Sequence, residues 1–361
     1  MFTKTYSMKN KILFVYDKYV TFIRRDFEIL TEEDYEVKRL SFNAQKNVFK
    51  LAWSFLKQFV SLWFLVSKYD IIFIWFADYH AFFPVLIGKL FKKKIVLNIA
   101  GFDASKINNI NYGLFAGKKY RVYMGSYAIR NADLIFGVDD SMILGENNYI
   151  GNYPSGVKFF VPDLKGRCEV VPFGFDQTIW KRNNLIDKKE NSVVSVGTAS
   201  DITTLKRKGF DFLLEIAAEM PNVDFTIIGV RDEALRFLTN RCPKNLTLIG
   251  FLNFEELINN YSAHKVFAQI SLNEGQPNTL CEAMFCECIP VGSSVNGIPN
   301  VIDNENLIIK KKEIKQAKEV ISYALSLTEE DGKIIRESMI KRYPKSLRKE
   351  KIQKHLSKLT R

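Results

Sequence analysis

Short, uninterrupted runs of Ile, Val, Leu and Phe punctuate the chain, and longer stretches of helical period lie between most of them. In the first half the runs are 11–16 (KILFVY), 71–75 (IIFIW), 94–99 (KIVLNI), 134–138 (LIFGV) and 169–172 (EVVP). In the second half they are 192–196 (SVVSV), 224–229 (DFTIIG), 246–250 (LTLIG), 266–270 (VFAQI), 289–292 (IPVG) and 307–309 (LII). A strand that is apolar without alternation must be covered on both faces, and intervening helices supply that cover. The pattern therefore predicts an α/β protein with a parallel, doubly wound sheet in each half. The length of 361 residues agrees, since a single core rarely grows beyond about 250–300 residues. The polar tract 180–191 (WKRNNLIDKKEN) has no apolar period and reads as the linker between domains at 1–180 and 191–340.

Charge is spread unevenly. Residues 1–190 hold 28 Lys and Arg against 19 Asp and Glu, while residues 191–361 hold 24 against 21. Most of the net +12 thus sits in the first half, which suits contact with a polyanion, either an anionic membrane surface or nucleic acid; a basic solvated face is the other reading. No basic helix or aromatic platform of a known nucleic-acid module accompanies it, so a nucleic-acid partner is not expected. The run 51–66 (LAWSFLKQFVSLWFLV) is shorter than the roughly 20 apolar residues of a spanning helix. It and the run 81–91, which precedes Lys92, Lys93 and Lys94, fit either packing on a sheet or contact with a lipid headgroup region. The five cysteines are odd in number and the N-terminal MFTKTYSMKNK lacks a signal peptide's apolar core, so a reducing, cytoplasmic setting is expected, peripheral on the membrane's inner face if the basic half docks there. Cys281, Cys286 and Cys288 lie along an apolar helix and strand and read as buried small side chains, not metal ligands.

The chemistry concentrates in 273–282 (NEGQPNTLCE), a loop and first helical turn at the C-terminal edge of a predicted strand. Open α/β sheets bind ligands at that edge. Gly275 lets the chain turn, Asn278 or Thr279 is a candidate N-cap, and the free amides of the first turn suit phosphate oxygens. Two carboxylates, Glu274 and Glu282, flank the pocket. They would repel a diphosphate, so sugar hydroxyls are their natural partners.

Two glutamates eight positions apart in this context resemble the E-x7-E motif of family-4 retaining glycosyltransferases of GT-B fold. The surrounding phrases resemble that family in the same order: Val196-Gly197, Lys208-Gly209 before Phe210-Asp211-Phe212, Ile227-Ile228-Gly229, Gly250-Phe251-Leu252 before Glu255-Glu256-Leu257, and Gly297-Ile298-Pro299. In the first half the likeness is limited to Ile99 to Asp103, Asn131-Ala132-Asp133 and Val171 to Asp176. The resemblance implies two Rossmann-like domains facing a cleft, the second holding a nucleotide-sugar donor, and a C-terminal helix, 341–361, crossing back onto the first. By the same resemblance Glu282 would accept ribose hydroxyls and Glu274 hydroxyls of the transferred sugar. Amides of Gln276, the neighbours of Pro277, and Asn278 would hold the diphosphate. Lys208 would neutralise the departing phosphate beside Gly197, and the base would rest near Leu252. No metal or other cofactor is implied; the acceptor would be a glycan, lipid-linked or surface polysaccharide.

The departures from the family pattern are as specific. Thr198 stands where a basic residue often follows the glycine, and an insert then runs to Lys208, with Lys206 or Arg207 as the replacement cation. Ala100 stands where many members have a histidine; Asp103 is the substitute candidate on that side of the cleft. No glycine-rich loop follows Tyr16, and Asn300 replaces a common glutamate. Ala100 and Thr198 leave a catalytically altered homologue as an alternative; a sugar-nucleotide epimerase of the same bilobal fold and, from another class, a basic nucleic-acid-binding protein are the others.

Overall fold

The computed structural model describes residues 10–33, 35–42 and 47–359, so most of the tract read above for a leader lies outside the described residues. The N-terminal sheet is built from β1 (Lys11–Tyr16), β2 (Glu36–Ser41), β3 (Ile71–Trp75), β4 (Lys94–Ile99) and β5 (Leu134–Gly137). After a small antiparallel pair, β6 (Gly145–Asn147) and β7 (Tyr153–Ser155), it is completed by β8 (Arg167–Val170). Its order is β2-β1-β3-β4-β5-β8, parallel throughout. The second sheet comprises β9 (Lys189–Ala199), β10 (Asp224–Val230), β11 (Leu246–Ile249), β12 (His264–Gln269), β13 (Ile289–Ser293) and β14 (Ile308–Ile309). It too is parallel, in the order β11-β10-β9-β12-β13-β14.

Continuous apolar runs account for the central strands: all five residues of β3 are fully buried. β2 carries no continuous apolar run, because an edge strand with the sequence EVKRLS buries little on either face. In the second sheet the chain moves outward from β9 to β10 and β11, then returns to add β12 on the other side. The loops leaving β9 and β12 therefore face each other across a topological switch point, where open sheets bind ligands.

The tract 180–191 is more than a linker. Trp180 is buried against Phe254 and Tyr261, the Asn183 amide donates to Ser262 Oγ at 2.8 Å, and β9 already begins at Lys189. Cys281, Cys286 and Cys288 are buried free thiols, whose pKa values burial pushes up. The C-terminal region forms three helices, Ile314–Ser326, Glu329–Arg342 and Ser346–Leu359. The last lies on the N-terminal domain. Its Arg348 pairs with Asp26 at 2.5 and 2.7 Å, spreads over the rings of Trp75 and Phe173, and is almost fully buried.

Candidate functional site

Two loops build the site. The first leaves β9 at Gly197, beside which the stem of Lys208 runs; a Cβ there would stand 2.9 Å from Lys208 Cε. What the sequence presents as an insert is an ordered helix, Ile202–Lys208, started by a capping box in which Asp201 accepts from the Thr204 amide at 2.8 Å. It ends at Gly209, and the Leu272 amide donates to Arg207 O at 2.7 Å. The last two helical residues thus face the loop that leaves β12.

That second loop carries Glu274 into contact with both cations. Lys208 Nζ donates to Glu274 Oε1 at 2.7 Å and Arg207 approaches the same oxygen at 3.4 Å, with Ser271 Oγ at 3.1 Å. Burial pushes the Glu274 carboxyl up, but the charges of Lys208 and Arg207 outweigh it and hold the carboxyl below its ordinary value. Burial lowers the pKa of Lys208, with Glu274 opposing that shift. Arg207, not Lys206, is the second cation brought to this pocket; its guanidinium also lies over Tyr112 of the N-terminal domain, 5.2 Å from the ring centroid.

Helix Asn278–Phe285 follows. The expectation of an Asn278 or Thr279 cap is corrected: Pro277 is the N-cap, with no side-chain cap bond. Its fixed φ orients the turn and its carbonyl accepts the first helical bond, from Cys281 at 3.2 Å. The amides of Asn278, Thr279 and Leu280 lie ahead of that bond and have no partner within the helix. Thr279 instead donates to Gln269 Oε1 at 3.2 Å, and Asn278 Oδ1 is buried without a partner among the described residues. Gln276 turns its side chain to the other domain, pairing with both the N–H and the carbonyl of Phe173. One helical turn on, Glu282 Oε2 lies 3.5 Å from Tyr261 Oη. Burial pushes its carboxyl up to about 7, against the pull of Arg25 and Tyr261. Arg25 belongs to helix Thr21–Glu32 of the N-terminal domain, and nothing in its local sequence marks it. Leu252 is half-buried beside the exposed Phe251, in the loop before a helix capped by Asn253 and Glu256.

The N-terminal domain closes directly over these loops. A Cβ on Gly275 would meet Ala100 O at 2.4 Å, so only glycine permits this approach. Ser105 Oγ lies 2.7 Å from Asn273 Oδ1, Asn147 donates to Leu272 O at 3.1 Å, and Asn300 donates to Asp139 at 2.9 Å. That last bond gives a reason for the departure at position 300: a glutamate there would face the Asp139 carboxylate. Asp103, expected to act in catalysis, requires correction. It is fully buried, with its oxygens accepting from the amides of Ala77, Ala100 and Gly101 at 3.1, 3.1 and 3.2 Å. Burial raises its carboxyl to about 6 despite those bonds, two of which tie it to the Ala100 and Gly101 amides.

Two doubly wound domains closing their switch-point loops on each other, with the last helix carried back to the first domain, define the GT-B fold. Solved structures of that fold superpose over almost the whole chain. Sucrose-phosphate synthase from Thermosynechococcus elongatus matches with a TM-score of 0.73 at 14% identity, covering 97% of this chain and 99% of its own. HepE from Anabaena, determined in complex with UDP-glucose, matches at 0.69 and 14%, covering 96% and 99%. Within the fold, residues 176–342 match the family described as glycosyl transferases group 1. Lys208, Glu274 and Glu282 all lie within the matched residues. A curated relative, the alpha-galactosylglucosyldiacylglycerol synthase of Streptococcus pneumoniae, is 26% identical over 136 residues. That match spans 36% of this chain and about a third of the relative.

Proposed function

We propose that the chain transfers a sugar, with retention of anomeric configuration, from a UDP- or GDP-linked donor to a glycan, lipid-linked or surface-polysaccharide acceptor. The observation that carries this reading is the meeting of Lys208, Arg207 and Glu274 beside the unpaired amides of helix Asn278–Phe285, with Glu282 on the same helix. Cations and helix amides together would take a diphosphate, and the two carboxylates would take the hydroxyls on either side of it. Charge developing on the departing phosphate would be met by Lys208, by Arg207 and by the amides, which leaves no part that a metal ion has to play. Activity is accordingly expected to survive excess EDTA. Loss restored by magnesium or manganese would overturn this assignment.

Retention fits the N-terminal wall. Inversion needs a base that takes the acceptor's proton on the face opposite the leaving group. Beside Gly275 and Gly297, Asp103 spends its oxygens on backbone amides and Asp139 spends its own on Ser141 and Asn300. A departing phosphate on the same face as the acceptor would take the proton instead.

The two glutamates are expected to separate in experiment. Glu282→Ala should weaken nucleoside-diphosphate binding by about 1.5–3 kcal/mol, since a carboxylate accepting ribose hydroxyls is lost. Its carboxyl is held up to about 7, and hydroxyl donors favour the ionised form, so wild-type affinity should rise with pH through that value. Glu274→Gln should leave diphosphate affinity unchanged or higher, because two largely enclosed cations lose their internal counter-charge, while kcat/KM for transfer falls. Calorimetry with the diphosphate alone, beside transfer kinetics, checks both. If neither change affects binding or transfer, the sugar-transfer reading fails.

A further inference from the structure

We infer that one face of the N-terminal domain is a docking surface for an anionic lipid bilayer, on which helix Val48–Leu65 lies flat. Phe49, Trp53, Leu56, Val60, Trp63 and Phe64 recur at spacings of three and four along this helix, which places them on one side, and all are exposed. Phe49 reaches 85% and Phe64 69% exposure, values that a soluble surface rarely gives to a contiguous aromatic stripe.

The opposite side of the same helix is held by the domain. Leu62 and Val66 are fully buried, Gln58 donates to His80 O at 2.9 Å, and Phe55 and Phe59 pack on Phe83. The apolar window Phe49–Lys68 is long enough to cross a membrane, yet only 17% of it is buried and one side is fixed to helix Phe82–Leu90. A helix anchored along one side can enter a bilayer only along the other, to the depth of the headgroups.

Charge identifies the occupant. Between Asn47 and Ala132 the acidic residues are Asp70, Asp78 and Asp103. Asp78 is paired with Arg121 and Asp103 is buried, while Asp70 accepts from the Lys11 amide. The same span holds Lys50, Lys57, Lys68, Lys89, Lys92, Lys93, Lys94, Lys106, Lys118 and Lys119. Exposed Leu90 and Tyr123 extend the apolar area, and Trp63 packs on Phe91 and Phe82 on Tyr123, so the three neighbouring helices form one surface. Asp70 stays exposed and Lys89 is paired with Asp133 at 2.5 Å, but Lys50, Lys57, Lys68, Lys92 and Lys94 are exposed and outnumber that one carboxylate, so the aromatic stripe and its lysines complement anionic headgroups over an apolar layer. On helix Lys119–Asn131, Arg121 also lies over Phe102, next to the Gly101 loop, so this surface adjoins the closed site.

The test uses the full chain with vesicles of phosphatidylcholine alone and of phosphatidylcholine mixed with phosphatidylglycerol. Binding is expected to the mixed vesicles, falling with salt as the screening length drops from ~10 Å at 0.1 M to ~3 Å at 1 M. Trp75 and Trp180 are buried, so a blue shift of tryptophan emission on binding reports Trp53 and Trp63. The Trp53→Ser/Trp63→Ser/Phe64→Ser variant changes exposed side chains only. It should melt and bind nucleoside diphosphate like the parent while its partitioning to mixed vesicles falls by more than about tenfold. Equal partitioning of parent and variant would overturn the inference, as would absence of binding to mixed vesicles. So would a concentration-dependent dimer that the variant abolishes, since a second copy would then cover the stripe.

Discussion

Lys208→Ala is expected to lower kcat/KM for sugar transfer by about 10²–10³, a loss of roughly 2.7–4 kcal/mol of transition-state stabilisation. In the closed structure the Lys208 side chain is only 13% exposed and its Nζ lies 2.7 Å from Glu274. A cation already fixed in a largely enclosed pocket needs little reorganisation when charge develops on a leaving phosphate, which is why a large effect is assigned to this side chain. Removing it leaves Glu274 with Arg207 and Ser271, so the loop keeps two of its contacts. Steady-state kinetics with the preferred nucleotide sugar, read beside the melting temperature, checks the result. An unchanged kcat/KM in a folded variant would remove Lys208 from the chemistry.

The second large effect is on stability. Arg348→Met should destabilise the protein by about 3–5 kcal/mol, because it strands the Asp26 carboxylate in the core. Asp26 is fully buried and also accepts from Trp75 Nε1 at 3.1 Å. Arg348 further contacts Asn98 Oδ1 at 3.2 Å, so the pair ties the last helix to the centre of the first sheet. The double variant Asp26→Asn/Arg348→Met should recover much of the loss, since no buried charge then remains unpaired. Denaturant or thermal unfolding checks this. A single variant as stable as the parent would show that the returning helix is held by its apolar contacts alone.

Much of the donor side of the site is legible in the order of residues because it is local. Glu274 and Glu282 lie on one loop and one helix, and helix amides ahead of the first backbone bond are unpaired wherever a helix begins. Arg207 and Lys208 end the helix that follows the loop leaving β9, within eleven positions of the Gly197 beside which the lysine stem runs. What the residues lack is a signal for contacts made across the cleft. Arg25, which influences Glu282, sits in an ordinary amphipathic helix, and Gln276 reads as a phosphate-loop residue although its side chain pairs with the Phe173 backbone. Asp103 reads as a cleft carboxylate, yet local amides consume it.

The sequence by itself determined the two doubly wound sheets, the switch-point loops and the carboxylate pair, because continuous apolar runs require two-sided cover and turn chemistry acts over a few residues. Tertiary structure alone decided which charged groups are buried. It placed Arg348, one of many basic residues in SLRKEKIQKHLSKL, against Asp26 more than 300 positions away, and it left the tryptophans of an apolar run on the outside. The physical reason is the same for both: burial depends on which surfaces the packed elements cover, and that is fixed by long-range pairing that no local period encodes.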